Sequence, residues 1–316
     1  MAQGVQRQLW FSLPYNLVVG YIDLAQCLSL VNRHGYLQNK TYYVEGYQVI
    51  PAAAWGPGVA SCDIDVVGNT WTTENSHREA FGLWKKMNRQ TDIELGTWND
   101  FKVFMDSAHY QGSAADPYTT NLMPIDGAQA AFSRIGAEWD YSLYVSPTAA
   151  AGVSTTNACH MLGDDEAANN AALGCDGSHA IIQGYGDTRT TVQTDDPAVP
   201  GDASVSWMNN LFDDGDTLTP LGNIQETHSD QPPYARALDA PGGDNPIYVG
   251  GSESGVGGML QTRMRITNAG DTGYGQGGEV LAGLLRVGFA SESGNTALLC
   301  VNLAPGAYQG VAAKAV

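Results

Sequence analysis

Residues 58–68 read GVASCDIDVVG, and they alternate. Val59, Ser61, Asp63 and Asp65 take one parity; Ala60, Cys62, Ile64 and Val66 take the other. A period of two puts the first set on one face of a strand and the second on the opposite face. One face is wet and carries two carboxylates, and the other is apolar. The segment therefore reads as a half-buried strand of a sheet packed on a core.

Working outward, seven more segments read as strands. KTYYVEGYQVIPA (40–52) is aromatic, β-branched and stopped by Pro. NDFKVFMDS (99–107), AEWDYSLYVS (137–146) and STTNACHML (154–162) follow downstream. GMLQTRMRIT (258–267), EVLAGLLRVGF (279–289) and NTALLCVNLA (295–304) close the chain. Eight antiparallel strands joined by long polar loops predict a mainly β fold, an eight-stranded jelly-roll sandwich with a few short helices. A double jelly roll is the alternative, and it needs roughly twice as many strands. No repeat or low-complexity linker divides the sequence. The expectation is one elaborated domain over residues 1–316, with a long loop-rich insertion at 163–256 that holds short helices at 179–186 and 205–212.

Two segments have a helical period. In IDLAQCLSLVNR (22–33), Asp23 is placed to cap, and Leu24, Cys27, Leu28 and Val31 share a face. NTWTTENSHREAFGLWKKMNRQ (69–90) predicts a longer helix from about Glu74 to Arg89, capped by Thr72 or Thr73. Leu83, Trp84 and Met87 are expected to pack on the sandwich. Arg78, Lys85, Lys86 and Arg89 form a basic edge, which Glu74 and Glu79 partly offset.

Composition bounds the function. The 316 residues carry 33 Asp and Glu against 15 Lys and Arg, a formal net charge of −18. That argues against a large exposed nucleic-acid surface, which needs a basic footprint. The five cysteines, Cys27, Cys62, Cys159, Cys175 and Cys300, have neither zinc spacing nor the even count of a disulfide framework. They read as small buried hydrophobes. The N-terminal segment lacks a secretory h-region, and no run is long and apolar enough to span a bilayer. The expectation is a protein made in a cytoplasm.

No nucleophile-elbow, zincin or phosphate-loop motif occurs, and GQGG (275–278) leads into a strand and not a helix. The histidines, His34, His77, His109, His160, His179 and His228, have no metal-ligand spacing. No catalytic residue, cofactor site or enzymatic activity is expected. Asp213, Asp214 and Asp216 in FDDGD are the one candidate set for Ca²⁺, of the kind that sits between subunits, although the EF-hand pattern is not matched. QPPYARALDAPGGDNP (231–246) must be extended or turn-like, as in a loop that contacts a neighbour.

Taken in order, several segments resemble the major capsid proteins of small single-stranded DNA viruses, a group represented mostly by marine and other environmental sequences. They are DLAQCLSLVNRHGYLQNKTYYVEGYQV (23–49), NTWTTENSHREAFGLWKKM (69–87), DFKVFMDSAHY (100–110), EWDYSLYVSP (138–147), PYARALDAPGGDN (233–245) and GGEVLAGLLRV (277–287). The resemblance implies a jelly-roll subunit that self-assembles into an icosahedral shell around single-stranded DNA, assembled in the host cytoplasm and carried in the virion. It implies no catalytic residues. Other virion proteins are further expected partners. Arg78, Lys85, Lys86 and Arg89 then become candidate genome or subunit contacts. One departure matters: the basic N-terminal arm common in such proteins is missing, since residues 1–32 hold only Arg7. Genome contact is then expected to be sparse. A β-sandwich that binds glycans or a receptor, like a spike or lectin module, is the alternative reading.

Overall fold

The computed structural model describes residues 4–52, 56, 58–90, 100–112, 117–133, 139–147, 154–188, 258–268, 270–292 and 294–316. In chain order the first strands are β1 (Gln8–Leu13), β2 (Leu17–Asp23), β3 (Lys40–Pro51) and β4 (Ala60–Val66). Next come β5 (Phe104–Asp106), β6 (Tyr144–Pro147), β7 (Ser154–Leu162) and β8 (Gly177–Ala180). The C-terminal part holds β9 (Met259–Ile266), β10 (Gly273–Gln276), β11 (Glu279–Val280), β12 (Leu284–Ser291) and β13 (Ala297–Leu303). Three short strands, β14 (Pro305–Gly306), β15 (Gly310–Val311) and β16 (Ala313–Ala315), end it. The helices are α1 (Leu24–Asn32), α2 (Trp71–Gln90), α3 (Ser107–Gln111) and α4 (Ile181–Thr188).

The chain forms two compact units. Met1–Asn69, Pro117–Asp140 and Gly258–Val316 make the first; Thr70–Asp116 and Tyr141–Gly257 make the second. The excursion away from the first unit therefore begins at Thr70. Of the 163–256 segment, only residues 163–188 are described.

The first unit is two antiparallel sheets face to face. One has the order β1-β13-β3-β10, with β11 and β16 also paired to β3; the other has the order β2-β12-β4-β9. Phe11, Leu13, Val49, Leu299 and Val301 from the first sheet meet Ile22, Ile64, Val287 and Phe289 from the second in one core. Each such side chain contributes ~1.5–3 kcal/mol on full burial. The alternation of residues 58–68 appears as expected. Ala60, Cys62, Ile64 and Val66 are buried, while Asp63 on the wet face accepts both forks of Arg263, at 2.6 and 2.8 Å.

Three sequence expectations need correction. First, residues 8–13 and 17–23 are strands of the sandwich and add to the eight read from the sequence. Leu9, Phe11 and Leu13 do alternate inward, and Asn16, at φ 49°, makes the left-handed turn between the two strands. Second, the strands expected at 99–107, 137–146 and 154–162 exist as β5, β6 and β7, but they pair with one another in the second unit. Third, EVLAGLLRVGF is not one strand. Ala282 (φ 55°) and Gly283 (φ 67°) break it. Val280 pairs with Tyr42 in one sheet, and Leu284 sits opposite Asp23 in the other. The positive-φ corner is how the backbone changes sheets within four residues, and glycine takes that conformation at little cost.

The sandwich edges are covered. At one side a strap crosses from sheet to sheet: the Leu122 N–H donates to the Tyr21 carbonyl of β2 and the Ile125 N–H to the Trp10 carbonyl of β1, each at 2.7 Å. At the other side β10 approaches β9 so closely that a Cβ on Gly275 would lie 2.8 Å from the Thr262 side chain. Covered edges do not template pairing with other chains.

Asp23 ties these parts together. It is 2 % exposed, yet it accepts four hydrogen bonds. Its Oδ1 caps α1 by accepting from the Ala25 and Gln26 N–H groups at 3.0 and 3.2 Å. Its Oδ2 accepts from Gln38 Nε2 and from Trp139 Nε1, each at 2.9 Å. Replacing Asp23 by Ala removes the cap and strands two buried donors. We expect Asp23→Ala to lose roughly 3–5 kcal/mol of stability, read as a fall in the urea midpoint.

Candidate functional site

The second unit positions the residues singled out for function. Its sheet has the order β5-β7-β6, with β8 also on β7; β5 and β8 run parallel to β7, and β6 antiparallel. The long helix α2 begins three residues before the expected start. Thr70 and Thr73 cap it reciprocally: the Thr73 N–H donates to Thr70 Oγ1 at 3.3 Å, and the Thr70 N–H to Thr73 Oγ1 at 2.9 Å. This is the exchange of a capping box, with Thr in the place of the usual Glu.

One face of α2 is fixed by packing. Thr73, Ser76, His77, Ala80 and Leu83 are buried. Trp84 is half-buried and packs on Phe81 and Phe101, with centroids at 6.2 and 5.9 Å. Phe101 also takes the edge of Tyr144, whose hydroxyl donates to the Ala80 carbonyl. Met87 is half-buried, and its sulfur accepts the Val145 N–H at 3.3 Å. The ring partners of α2 thus lie in its own unit, where the sequence reading looked for them on the sandwich.

The opposite face carries the basic edge. Arg78 and Lys86 are exposed, and Lys85 Nζ lies 3.8 Å from the Phe81 ring centroid. Arg78 donates to Asn75 Oδ1 at 3.3 Å. The Arg89 side chain lies outside the described residues, as do Asp213, Asp214 and Asp216 and the whole of 231–246.

Spacing along the chain does not show that His160 on β7 and His179 on β8 become neighbours. His160 Nδ1 lies 2.8 Å from Ser178 Oγ, and its Nε2 lies 2.9 Å from the Asp164 carbonyl. The carbonyl can only accept, so Nε2 holds the proton and Ser178 donates to Nδ1. Burial pulls the His160 pKa below its ordinary value. A serine–histidine contact of this kind can activate a nucleophile only where substrate reaches it. Here His160 is 0 % and Ser178 2 % exposed, so the pair is a buried polar link between neighbouring strands. His179 Nδ1 meets Asp165 Oδ2 at 3.2 Å, and Asp165 Oδ1 also accepts the Ala180 N–H at 2.6 Å. His109 Nδ1 accepts the Met105 N–H at 3.1 Å. Among the described residues no group of three or more His, Cys, Asp or Glu side chains is arranged to hold a metal, and no helix is long and apolar enough to cross a membrane. All five cysteines are free and buried.

No protein family, curated protein or solved structure matches this chain.

His77 gives the helix a pH dependence. It is 1 % exposed on α2, its ring lies edge-on to Phe101, and burial, with Arg78 beside it, lowers its pKa to about 4. The unfolded chain therefore binds a proton between about pH 6.5 and 4 that the folded chain refuses. Stability is full above that window and falls as pH drops through it, by on the order of 3 kcal/mol. His77→Leu should flatten this slope in urea titrations run from pH 7 to 4. Separately, Trp84→Ala should cost roughly 2–3 kcal/mol by removing two ring contacts, read as a lower melting temperature at pH 7.

Proposed function

We propose that this chain is the major subunit of an icosahedral viral capsid that encloses single-stranded DNA, and that its first unit is a single jelly roll. The strand order of the two facing sheets carries this reading. Leave aside the short β11 and β16 and number the other eight strands 1 to 8 along the chain; the sheets then run 1-8-3-6 and 2-7-4-5. Within them 1 pairs with 8, 2 with 7, 3 with 6 and 4 with 5. Such nested pairing is what results when one long antiparallel ribbon is rolled up, and rolled sandwiches of this kind recur in viral capsids. The resemblance of six ordered sequence segments to capsid proteins of single-stranded DNA viruses supports the same conclusion.

A second jelly roll would require eight antiparallel strands in the second unit. Its described strands number four, and two of the three pairings are parallel, which favours the single form. Shell building also suits the chemistry. A subunit must bury ~1,200 Å² or more at each stable contact without clumping. A net charge of −18 opposes random association while specific patches close the shell. Assembly in the host cytoplasm, with the five thiols reduced and buried, follows from the same reading.

The test is direct. Purified protein, screened over salt and concentration, should give uniform spherical particles in negative-stain electron microscopy. A protein that stays monomeric throughout, and instead binds glycans on an array, would establish the lectin-like alternative.

A further inference from the structure

We propose that the outward face of α2, centred on Gly82, is a binding surface for the phosphate backbone of a single-stranded nucleic acid. The proposal rests on the capsid reading only for which nucleic acid is bound.

The first observation is charge placement. Residues 78–90 hold Arg78, Lys85, Lys86 and Arg89 against the single acid Glu79, in a chain where acids outnumber bases 33 to 15. At about 100° per residue these four positions fall within one arc of about 100°. That arc lies opposite the buried Ser76, Ala80 and Leu83. Complementing the helix dipole accounts for cations in the last turn. It does not account for Arg78, which lies in the middle of the 20-residue helix. Among the described residues neither Arg78 nor Lys85 has a salt-bridge partner.

The second observation is Gly82. It lies inside the helix, one turn from Arg78 on one side and from Lys86 on the other, and it is exposed. Glycine disfavours a helix interior relative to alanine. Among the described residues nothing requires it, because a Cβ at this position would meet no described atom within 4 Å. The missing side chain leaves a notch with a cation on either side. A tetrahedral phosphate can approach the helix backbone there and take charge-assisted hydrogen bonds from both flanks.

The third observation is aromatic. Phe81, only partly buried, borders this face, with Lys85 Nζ 3.8 Å from its ring centroid. A cationic track next to flat aromatic rings is how proteins hold single strands without reading sequence. An acidic patch on a second copy of the chain would also complement the charge, but protein interfaces are depleted in lysine, and this face has two. The protein's overall negative charge does not cancel the site, because screening confines each charge to about 8–10 Å in physiological salt.

The experiment uses the full chain and a fluorescent mixed-sequence oligodeoxynucleotide of about 20 nucleotides, with binding read by anisotropy between 50 and 200 mM salt. The triple variant Arg78→Gln, Lys85→Gln, Lys86→Gln should bind at least ten-fold more weakly. The slope of log affinity against log salt should fall by about 2, since each phosphate contact contributes about 0.7. Gly82→Ala should raise the melting temperature, which shows an intact fold, and still weaken binding several-fold. Unchanged oligonucleotide affinity in both variants overturns the proposal. So does a loss of particles with oligonucleotide binding retained, which would assign the face to subunit contact. If the wild type binds DNA through this face but never forms particles, the capsid reading fails and the site stands. If particles form and the variants bind DNA as the wild type does, the site fails and the capsid reading stands.

Discussion

A buried carboxylate holds the first unit in register. Taking an ionised group out of water costs several kcal/mol unless its oxygens are satisfied. Asp23 meets that condition with four donors from three parts of the chain: the first turn of α1, Gln38 ahead of β3, and Trp139 at the return from the second unit. It also sits opposite Leu284, where the chain arrives from the other sheet after the positive-φ corner. If Asp23 were misplaced, the helix would lose its start, the indole would lose its acceptor, and β12 would lose its reference point on β2. The hydrophobic core supplies the driving force, but it is non-directional. The carboxylate adds direction.

Much of this was legible in the sequence wherever burial has a period. The alternation in GVASCDIDVVG gave β4 its inner and outer faces, and Asp23 was recognisable as a helix cap. The ends of β7, β9 and β13 fell within two residues of expectation. The failures have physical causes. β1 and β2 are short strands beside a turn made by Asn16 and not by the usual glycine, so their weak alternation stood without punctuation. The break in EVLAGLLRVGF depends on Ala282 taking a left-handed backbone, which no local propensity signals. Membership of a sheet is decided by partners tens to hundreds of positions away, and periodicity contains no information about them.

The candidate site residues divide in the same way. The apolar stripe of α2 and its basic edge could be read from helical spacing. That Phe81, Trp84 and Phe101 form one stack could not, because Phe101 comes from a segment beyond the helix. His160 and His179 stand apart in sequence and become neighbours only through the pairing of β7 with β8. Once met, they are largely consumed by local partners, as His160 is by Ser178 and the Asp164 carbonyl. Gly82 is the reverse case. Its oddity is visible in the sequence as a glycine inside a helical pattern, but only the structure shows that no described neighbour explains it.

The pairing of β1 with β13 also sets a timetable for synthesis. Gln8 lies opposite Asn302, so the sheet that begins the chain is finished only by residues near its other end. On a ribosome adding about 5–20 residues per second, the N-terminal strands wait on the order of tens of seconds for their partners. Contacts this distant in sequence make for slow folding. They also make closure of the sandwich a report on completeness. A nascent chain that terminates before β13 cannot complete its first sheet, because β1 and β3 then lack the strand that lies between them.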